Sequence, residues 1–165
     1  MAYYVIIRGP AGVGKSVVSR ILANRINAEV VHFDKIMEEL GLDYVQGEKW
    51  IPLVKFLKAD EAMAPVFGKK LEAGKNLILD GNFYHKEQIE DLIRKLGSKY
   101  AIFTLRATLE ECIKRDKSRE NGLGEKATND VFKLVSAFDY GTIIDTNDKS
   151  PENIANDILT KIANF

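Results

Sequence analysis

The first 26 residues run from an apolar segment through a glycine-rich turn into an amphipathic stretch, and this succession constrains the fold more than any other part of the chain. Tyr3-Tyr4-Val5-Ile6-Ile7-Arg8 reads as a buried strand. Gly9-Pro10-Ala11-Gly12-Val13-Gly14-Lys15-Ser16 follows and meets G-x-x-x-x-G-K-[ST] at every fixed position. Val17, Val18, Ile21, Leu22 and Ile26 then set one apolar face along a helix. Glycines let such a loop turn with its amides inward, so a β-phosphate would lie in a ring of N–H donors at a helix N-terminus. Lys15 would reach the β- and γ-phosphates as a mobile point charge, and Ser16 would offer its hydroxyl to Mg²⁺. The alternative is an ordinary glycine turn. A chance match is expected in fewer than about one chain in a hundred of this length, and here the required strand and helix flank the motif. Gly9 to Ser16, with Val17 next to it, is therefore the expected binding stretch for a nucleoside triphosphate.

Four further apolar runs read as strands: Glu29–His32, Asn76–Asp80, Lys99–Leu105 and Gly141–Asp145. Most are continuous rather than alternating, as in strands covered on both faces. Helical patterns separate them. Ile89, Leu92, Ile93 and Leu96 form an apolar face stopped by Gly97. Thr108-Leu109-Glu110-Glu111 has the form of a reciprocal capping box, and Ser150-Pro151 supplies an N-cap and an N1 proline. Glu48–Ala73 reads as two helices with a bend or break at Pro52 and Pro65. Five strands alternating with helices predict crossover connections, hence a three-layer α/β/α sandwich with a five-stranded parallel sheet. No repeat, low-complexity tract or linker divides residues 1–165, so one domain is expected.

Composition narrows the partners. Twenty-four basic and twenty-four acidic residues cancel, which removes the electrostatic footprint of a nucleic-acid binder. The single cysteine, Cys112, excludes an internal disulfide framework and falls on an apolar helix face with Leu109 and Ile113, which favours packing over nucleophilic chemistry. His32 and His85 lack metal-ligand spacing. No run of eighteen apolar residues offers a membrane span, and no signal-peptide pattern opens the chain, so a cytoplasmic protein is expected, monomeric or homodimeric.

The loop identifies a triphosphate site without saying what happens there. A GTPase would need N-K-x-D after a late strand, where this chain has Thr146-Asn147-Asp148-Lys149. A motor or AAA-type ATPase would follow its strand-end aspartate with a second acid, whereas Leu77-Ile78-Leu79-Asp80 is followed by Gly81. Gly9–Ser16, Asp34 just past the second strand, Leu79-Asp80-Gly81 and Arg115/Arg119 together resemble the P-loop kinase group, which includes nucleoside monophosphate kinases, shikimate kinase and zeta-toxin-like and chloramphenicol-phosphotransferase-like kinases. The resemblance covers essentially the whole chain. It implies strand order 2-3-1-4-5 with Asp80 beside the loop, ATP and Mg²⁺ as cofactors, and a small-molecule acceptor. Adenylate kinases continue L-D-G as F-P-R; here Asn82-Phe83-Tyr84-His85 follows, without the Pro or Arg. The D-x-D and glycine triplet of shikimate kinases are also missing. A single acid after strand two, which serves as base on a hydroxyl in the zeta-toxin-like group, is shared.

The expected roles follow. Lys15 and the loop amides hold phosphates, and Ser16 and Asp80 hold Mg²⁺. Asp34 acts as base on a hydroxyl or as N-cap of a helix over Lys35–Leu40. Asp80-Gly81-Asn82 could equally be a plain turn. Arg115 and Arg119, four apart, would share one helical face and close over the transferring phosphoryl group, with Gly122 and Gly124 as hinge. Arg106 is a weaker candidate for the nucleotide site, and Arg8 fits a salt bridge at the sheet end. Residues 41–74 would form the acceptor-binding helices and 114–128 a lid. Trp50, Phe56, Phe67, Phe83 and Tyr84 are candidates for an acceptor wall, although core packing accounts equally for most of them. The expected reaction is γ-phosphoryl transfer to a hydroxyl of a small molecule; a nucleoside or nucleoside monophosphate kinase, and a nucleotide-dependent switch, are the alternatives.

Overall fold

The computed structural model describes residues 1–163. Along the chain run β1 (Tyr3–Arg8), α1 (Lys15–Ile26), β2 (Ala28–His32), α2 (Phe33–Glu39), α3 (Leu53–Glu72), β3 (Asn76–Gly81), α4 (Lys86–Leu96), β4 (Lys99–Arg106), α5 (Leu109–Lys117), α6 (Glu125–Val135), β5 (Thr142–Asp145) and α7 (Pro151–Ile162). All neighbouring strands pair in parallel, in the order β2-β3-β1-β4-β5. The five strands agree with the sequence expectation to within a residue at most ends.

Alternation along β1 shows why the runs are continuous. Tyr4 and Ile6 face a core built with Phe33, Met37, Phe56, Phe67, Ile89 and Leu92 of α2, α3 and α4 and the turn before them. Val5 and Ile7 face a second core with Val18, Leu22, Cys112, Ile154 and Ile158. Both sheet faces are therefore covered by helices, and successive side chains along the middle of the central strands are apolar, with polar ones such as Arg8, Asp80 and Thr104 near the carboxyl ends.

Helix ends largely follow their signals. Gly97 closes α4 at φ 56°, and Ser150 accepts from the Asn153 amide with Pro151 in the first turn of α7. Thr108 Oγ1 accepts from the Glu111 amide, but the box is not reciprocal. Asn147 takes the Thr108 amide, and Glu111 turns to Arg115.

Two expectations are corrected. Residues 41–52 contain no helix, and α3 is one 20-residue helix without a break. Pro52 sits at its N-cap, where no amide donor is required. Pro65 lies inside the helix, yet Pro65 and Glu61, whose carbonyl loses its partner, are both exposed, so water satisfies that carbonyl. Burial of Phe56, Ala59, Ala64, Phe67 and Leu71 on the other face keeps the helix intact. Secondly, Val17 does not join the core face of α1: it is exposed beside the glycine loop, while Val18 and Leu22 are buried.

Candidate functional site

The glycine loop spans the carboxyl end of β1 and the N-terminus of α1, between β3 and β4. Gly12 and Gly14 have φ 78° and 101°, conformations that a side chain would strain. Gly12 also packs so closely that an added Cβ would lie 2.2 Å from the Cys112 carbonyl oxygen of α5. Cys112 is thus the buried backstop of the loop, and burial raises its thiol above the ordinary value, as expected of an inert packing residue.

Lys15 is buried. Its Nζ donates to the carbonyls of Gly9 and Pro10, both at 2.9 Å, and to Oδ1 of Asn82 at 3.0 Å. Burial pushes the ammonium below its ordinary value, partly offset by the carboxylates of Asp80 and Asp34. Asp80 ends β3 opposite Ile7 and is 3% exposed, with Oδ2 at 3.1 Å from His32 Nδ1. His32, at the end of β2, is paired with Asp80 in register. The aspartate therefore stands beside the loop as the strand order requires, and His32 is its partner rather than an isolated residue.

Asp34 is not the helix cap. His32 takes the N-cap position of α2, without a side-chain bond, and Asp34 lies in the first turn, where a carboxylate complements the helix dipole. Its side chain is exposed to solvent, with Lys15, Asp80 and His32 near enough to act on it. Desolvation by the surrounding protein raises its carboxyl above the ordinary value; Lys15 and His32 pull it down and Asp80 pushes it up. Such a carboxyl is a better proton acceptor than a fully solvated aspartate.

Arg115 and Arg119 separate. Helix α5 ends at Lys117, so Arg119 lies in the turn beyond it rather than on the same helical face. Arg115 is committed. Its Nε donates to Glu111 at 2.9 Å, Nη1 to the Val13 carbonyl at 3.1 Å and Thr146 Oγ1 at 3.3 Å, and Nη2 to the Thr146 carbonyl at 3.2 Å. It buckles the glycine loop to the segment after β5. The Arg119 guanidinium has no bond within the protein among the described residues, and it lines a cavity of about 260 Å³ with Gly12, Gly14, Ser16, Val17 and Lys149.

Arg106 and Arg8 are corrected too. Arg106 pairs with Asp139 on the surface and does not line that cavity. Arg8 makes no salt bridge among the described residues: fully buried, it donates to the carbonyls of Phe83, Val135 and Phe138 and to Thr104 Oγ1, and its guanidinium lies 4.3 Å from the centre of the Phe138 ring. Burial lowers it to about 10.

The segment after β3 carries residues the sequence reading passed over. Phe83 is buried at φ 46°, a strained conformation for an aromatic residue, and its carbonyl is fixed by Arg8. This kink directs Asn82 to Lys15 on one side and Tyr84 and His85 to the 40–52 segment on the other. Tyr84 Oη accepts from the Ile51 amide at 3.2 Å, and His85 Nε2 is 2.9 Å from the Ile51 carbonyl. Phe56 packs edge-on against Tyr84 at 5.3 Å. Burial, with contributions from Asp34 and Glu48, pushes the Tyr84 phenol up to about 12. Of the other aromatic candidates, Phe67 is core, and Trp50 is partly exposed under the Lys49 ammonium. Asn82, Thr146 and Lys149 follow strand ends, where ligands gather in open α/β sheets, and that rule was the available signal.

Comparison with known proteins agrees with this architecture. A family model described as AAA domain matches residues 5–137. A Pyrococcus furiosus protein provisionally named adenylate kinase is 28% identical over 158 residues, covering 96% of this chain and 83% of that protein. A sugar kinase from Janibacter sp. HTCC2649 superposes with a TM-score of 0.81 at 18% identity, covering 99% of this chain and 95% of that one. The Mycobacterium tuberculosis APS kinase, solved with AMPPNP and APS, superposes with a TM-score of 0.74 at 16% identity over 98% of both chains.

Proposed function

The chain belongs to the AAA domain family, and from that membership and the site geometry we propose that it is an ATP- and Mg²⁺-dependent phosphotransferase acting on a hydroxyl of a small molecule. One observation supports this most. Lys15 of the glycine loop, Asp80 and the uncapped Asp34 converge at the carboxyl ends of β1, β3 and β2, with phosphate-binding amides on one side and a raised carboxyl on the other. Phosphoryl transfer needs positioning and charge neutralisation more than covalent help, and this set supplies both.

In this reading the loop amides and Lys15 hold the β- and γ-phosphates. Arg119, in the 114–128 lid, covers the transferring group, while Arg115 keeps the loop and the β5–α7 segment together. Asp34 accepts the proton of the acceptor hydroxyl as its oxygen attacks the γ-phosphorus, and the bond to the β–γ bridging oxygen breaks to release ADP. Residues 41–74, one strap and one helix, contribute the acceptor side.

The donors present suit Mg²⁺. The Ser16 hydroxyl has no bond within the protein among the described residues, and Asp80 offers a carboxylate near Lys15, the neighbour of Ser16. No group of three His, Cys, Asp or Glu side chains forms a metal cage among the described residues, which fits an ion that takes most ligands from phosphate and water. When bound, the ion neutralises phosphate charge; Ser16 and Asp80 would hold it.

A nucleoside monophosphate kinase is the second reading, favoured by the name of the Pyrococcus relative. The test is ADP release from ATP-Mg²⁺ across sugars, nucleosides, nucleotides and other hydroxylated metabolites. Acceptor-stimulated turnover that Lys15→Ala abolishes supports the proposal. ATP binding without stimulation by any acceptor would point instead to a nucleotide-dependent switch. As no helix is long and apolar enough to cross a membrane among the described residues, the proposal places the enzyme in the cytoplasm, as monomer or homodimer.

A further inference from the structure

We infer that the acceptor is an uncharged or amine-bearing polyhydroxyl compound, one without a phosphate or carboxylate. This rests on the phosphotransferase reading and follows from which charged groups around the acceptor side are already committed.

An anionic acceptor needs a cation to meet it, most effectively a guanidinium fork. No arginine lies between Arg25 and Arg94, so β2, α2, the strap, α3 and the turn after β3 contain none. Arginines elsewhere do not substitute: Arg8 is buried among carbonyls, Arg115 is bonded to Val13 and Thr146, and Arg119, which lines the cavity along the glycine loop, is assigned in the proposed function to the transferring phosphoryl group.

Most lysines of the region are occupied as well. Lys15 donates all three of its bonds within the loop and to Asn82, and phosphate is its natural exchange partner. Lys55 pairs with Glu48 at 2.8 Å and donates to the Asp43 carbonyl at 3.0 Å. Lys49 lies over the Trp50 ring at 4.5 Å. Lys70 and Lys75 pair with Glu29 near the start of β2, the end remote from Asp34. Among the described residues three exposed ammonium groups of the region have no partner, Lys35 on α2 and Lys58 and Lys69 on α3, and of these only Lys35 is adjacent to Asp34 in the chain.

Carboxylates are differently placed. Asp34 has no hydrogen-bond or ion-pair partner among the described residues, and Asp80 stands close enough to act on it. An acceptor carrying its own negative charge would therefore meet Asp34 and Asp80 with only Lys15, already bonded to the loop and Asn82, and His32, already on Asp80, as cationic groups beside them, and like charges in such a setting disfavour binding. A hydroxyl donates to Asp34 without that penalty, and an ammonium gains from it. The half-buried rings of Tyr84 and His85, tilted against each other at a centroid distance of 4.9 Å and seated on the buried Phe56, give the same side an aromatic surface suited to the C–H face of a ring.

The experiment compares matched acceptors with wild-type protein and saturating ATP-Mg²⁺: adenosine against AMP, and glucose and glucosamine against gluconate. Nucleotide binding is measured separately by calorimetry. The inference expects kcat/KM for at least one uncharged or amine-bearing member to exceed its anionic counterpart by about tenfold or more, a preference that Lys35→Ala leaves unchanged. AMP or gluconate turning over as well as its uncharged counterpart would overturn the inference and leave the phosphotransferase reading standing. Loss of that anionic activity in Lys35→Ala would identify Lys35 as the missing cation. ATP binding with no stimulation by any member overturns both readings together.

Discussion

Lys15 Nζ donates to Asn82 Oδ1 across 3.0 Å, joining the glycine loop to the turn that follows β3. The other two ammonium donors go to the Gly9 and Pro10 carbonyls, so all three are used and an incoming phosphate must displace at least one. Asn82 is held where it is by the residue after it: Phe83 is buried at φ 46° and anchored through its carbonyl by Arg8. The same short turn carries Tyr84 and His85 to the backbone of Ile51. Asn82, which holds the Lys15 ammonium, and Tyr84 and His85, which hold the strap, are thus only two and three positions apart.

Replacing either partner of that contact should affect transfer differently. Lys15→Ala removes the charge that meets the β- and γ-phosphates and should lower kcat at least 10²- to 10³-fold, roughly the effect of losing one preorganised donor. Asn82→Ala leaves the charge but not its guide. About a tenfold fall in kcat is expected, with nucleotide affinity changed only a few-fold, because hydrogen bonds to charged groups are worth about 1.5–3 kcal/mol. Calorimetry and steady-state kinetics separate the two, and an unchanged kcat in Asn82→Ala would remove Asn82 from the site.

Two loop glycines invite a controlled comparison. Both have positive φ, yet a Cβ on Gly14 meets nothing within 4 Å, whereas one on Gly12 would lie 2.2 Å from the Cys112 carbonyl oxygen. Gly14→Ala should cost only the conformational strain, about 1–2 kcal/mol. Gly12→Ala must also push α5 away from the loop, moving the Arg115 that holds Val13. Its Tm should fall further than that of Gly14→Ala. Equal losses in thermal unfolding would show that the α5 contact is not rigid.

Much of this was legible in the chain because the relevant signals are local. Continuous apolar runs marked the five strands, and crossover chirality turned their alternation with helices into a parallel sheet. The glycine loop announced itself by spacing. What escaped depended on tertiary context. Pro65 was read as a breaker because propensity is blind to the fact that its exposed face lets water satisfy the freed carbonyl. Arg115 was read as a free fork because nothing local indicates that Val13 and Thr146, 102 and 31 residues away, would claim it. Arg8 reads from sequence as a sheet-end ion pair, since a guanidinium satisfied by three carbonyls needs α6 folded beside it. Asp34 was ambiguous until the start of α2 one residue earlier gave the cap position to His32.

Asp60 lies fully buried in α3 with neither carboxyl oxygen hydrogen-bonded, facing α4, where the Gln88 amide is also unpaired. Burial, reinforced by Asp91, pushes its carboxyl up to about 8, although Gln88 lies close enough to lower it somewhat. The folded state therefore holds the neutral acid while the unfolded chain ionises near 3.8. Between those values the folded state binds the extra proton, so this group makes stability fall as pH rises from about 4 to about 8, by a few kcal/mol in all. Asp60→Asn is isosteric with the neutral acid and cannot ionise. It should remove that slope and raise the urea midpoint at pH 7.5, with little change at pH 4. Parallel pH profiles for variant and wild type would mean that Asp60 is ionised when folded.

The turn over residues 118–124, within the proposed lid, depends on one buried carboxylate. Asp116, near the end of α5, accepts the Leu123 amide on Oδ1 at 3.0 Å and the Gly124 amide on Oδ2 at 2.9 Å. Burial alone would raise this carboxyl, but those two amides, Thr128 and Arg119 outweigh it and hold it below the ordinary aspartate value. An acid depressed in the folded state contributes stability above its unfolded value near 3.8 and loses it as pH falls through the lower folded one. Gly122 belongs to the same clamp, since a Cβ there would sit 2.4 Å from the Asp116 carbonyl oxygen. The two glycines expected to hinge the lid are therefore packed and pinned in this conformation, and Arg119 is carried by the turn they close. Asp116→Ala leaves two amides without their acceptor and should cost about 1–3 kcal/mol. The loss should concentrate in residues 118–124, appearing as faster limited proteolysis there and a lower kcat through Arg119. Asp116→Asn keeps one carbonyl acceptor and should fall between alanine and wild type. If Asp116→Ala were cleaved no faster than wild type yet lost the same stability, the clamp would be holding α5 to α6 rather than holding the lid.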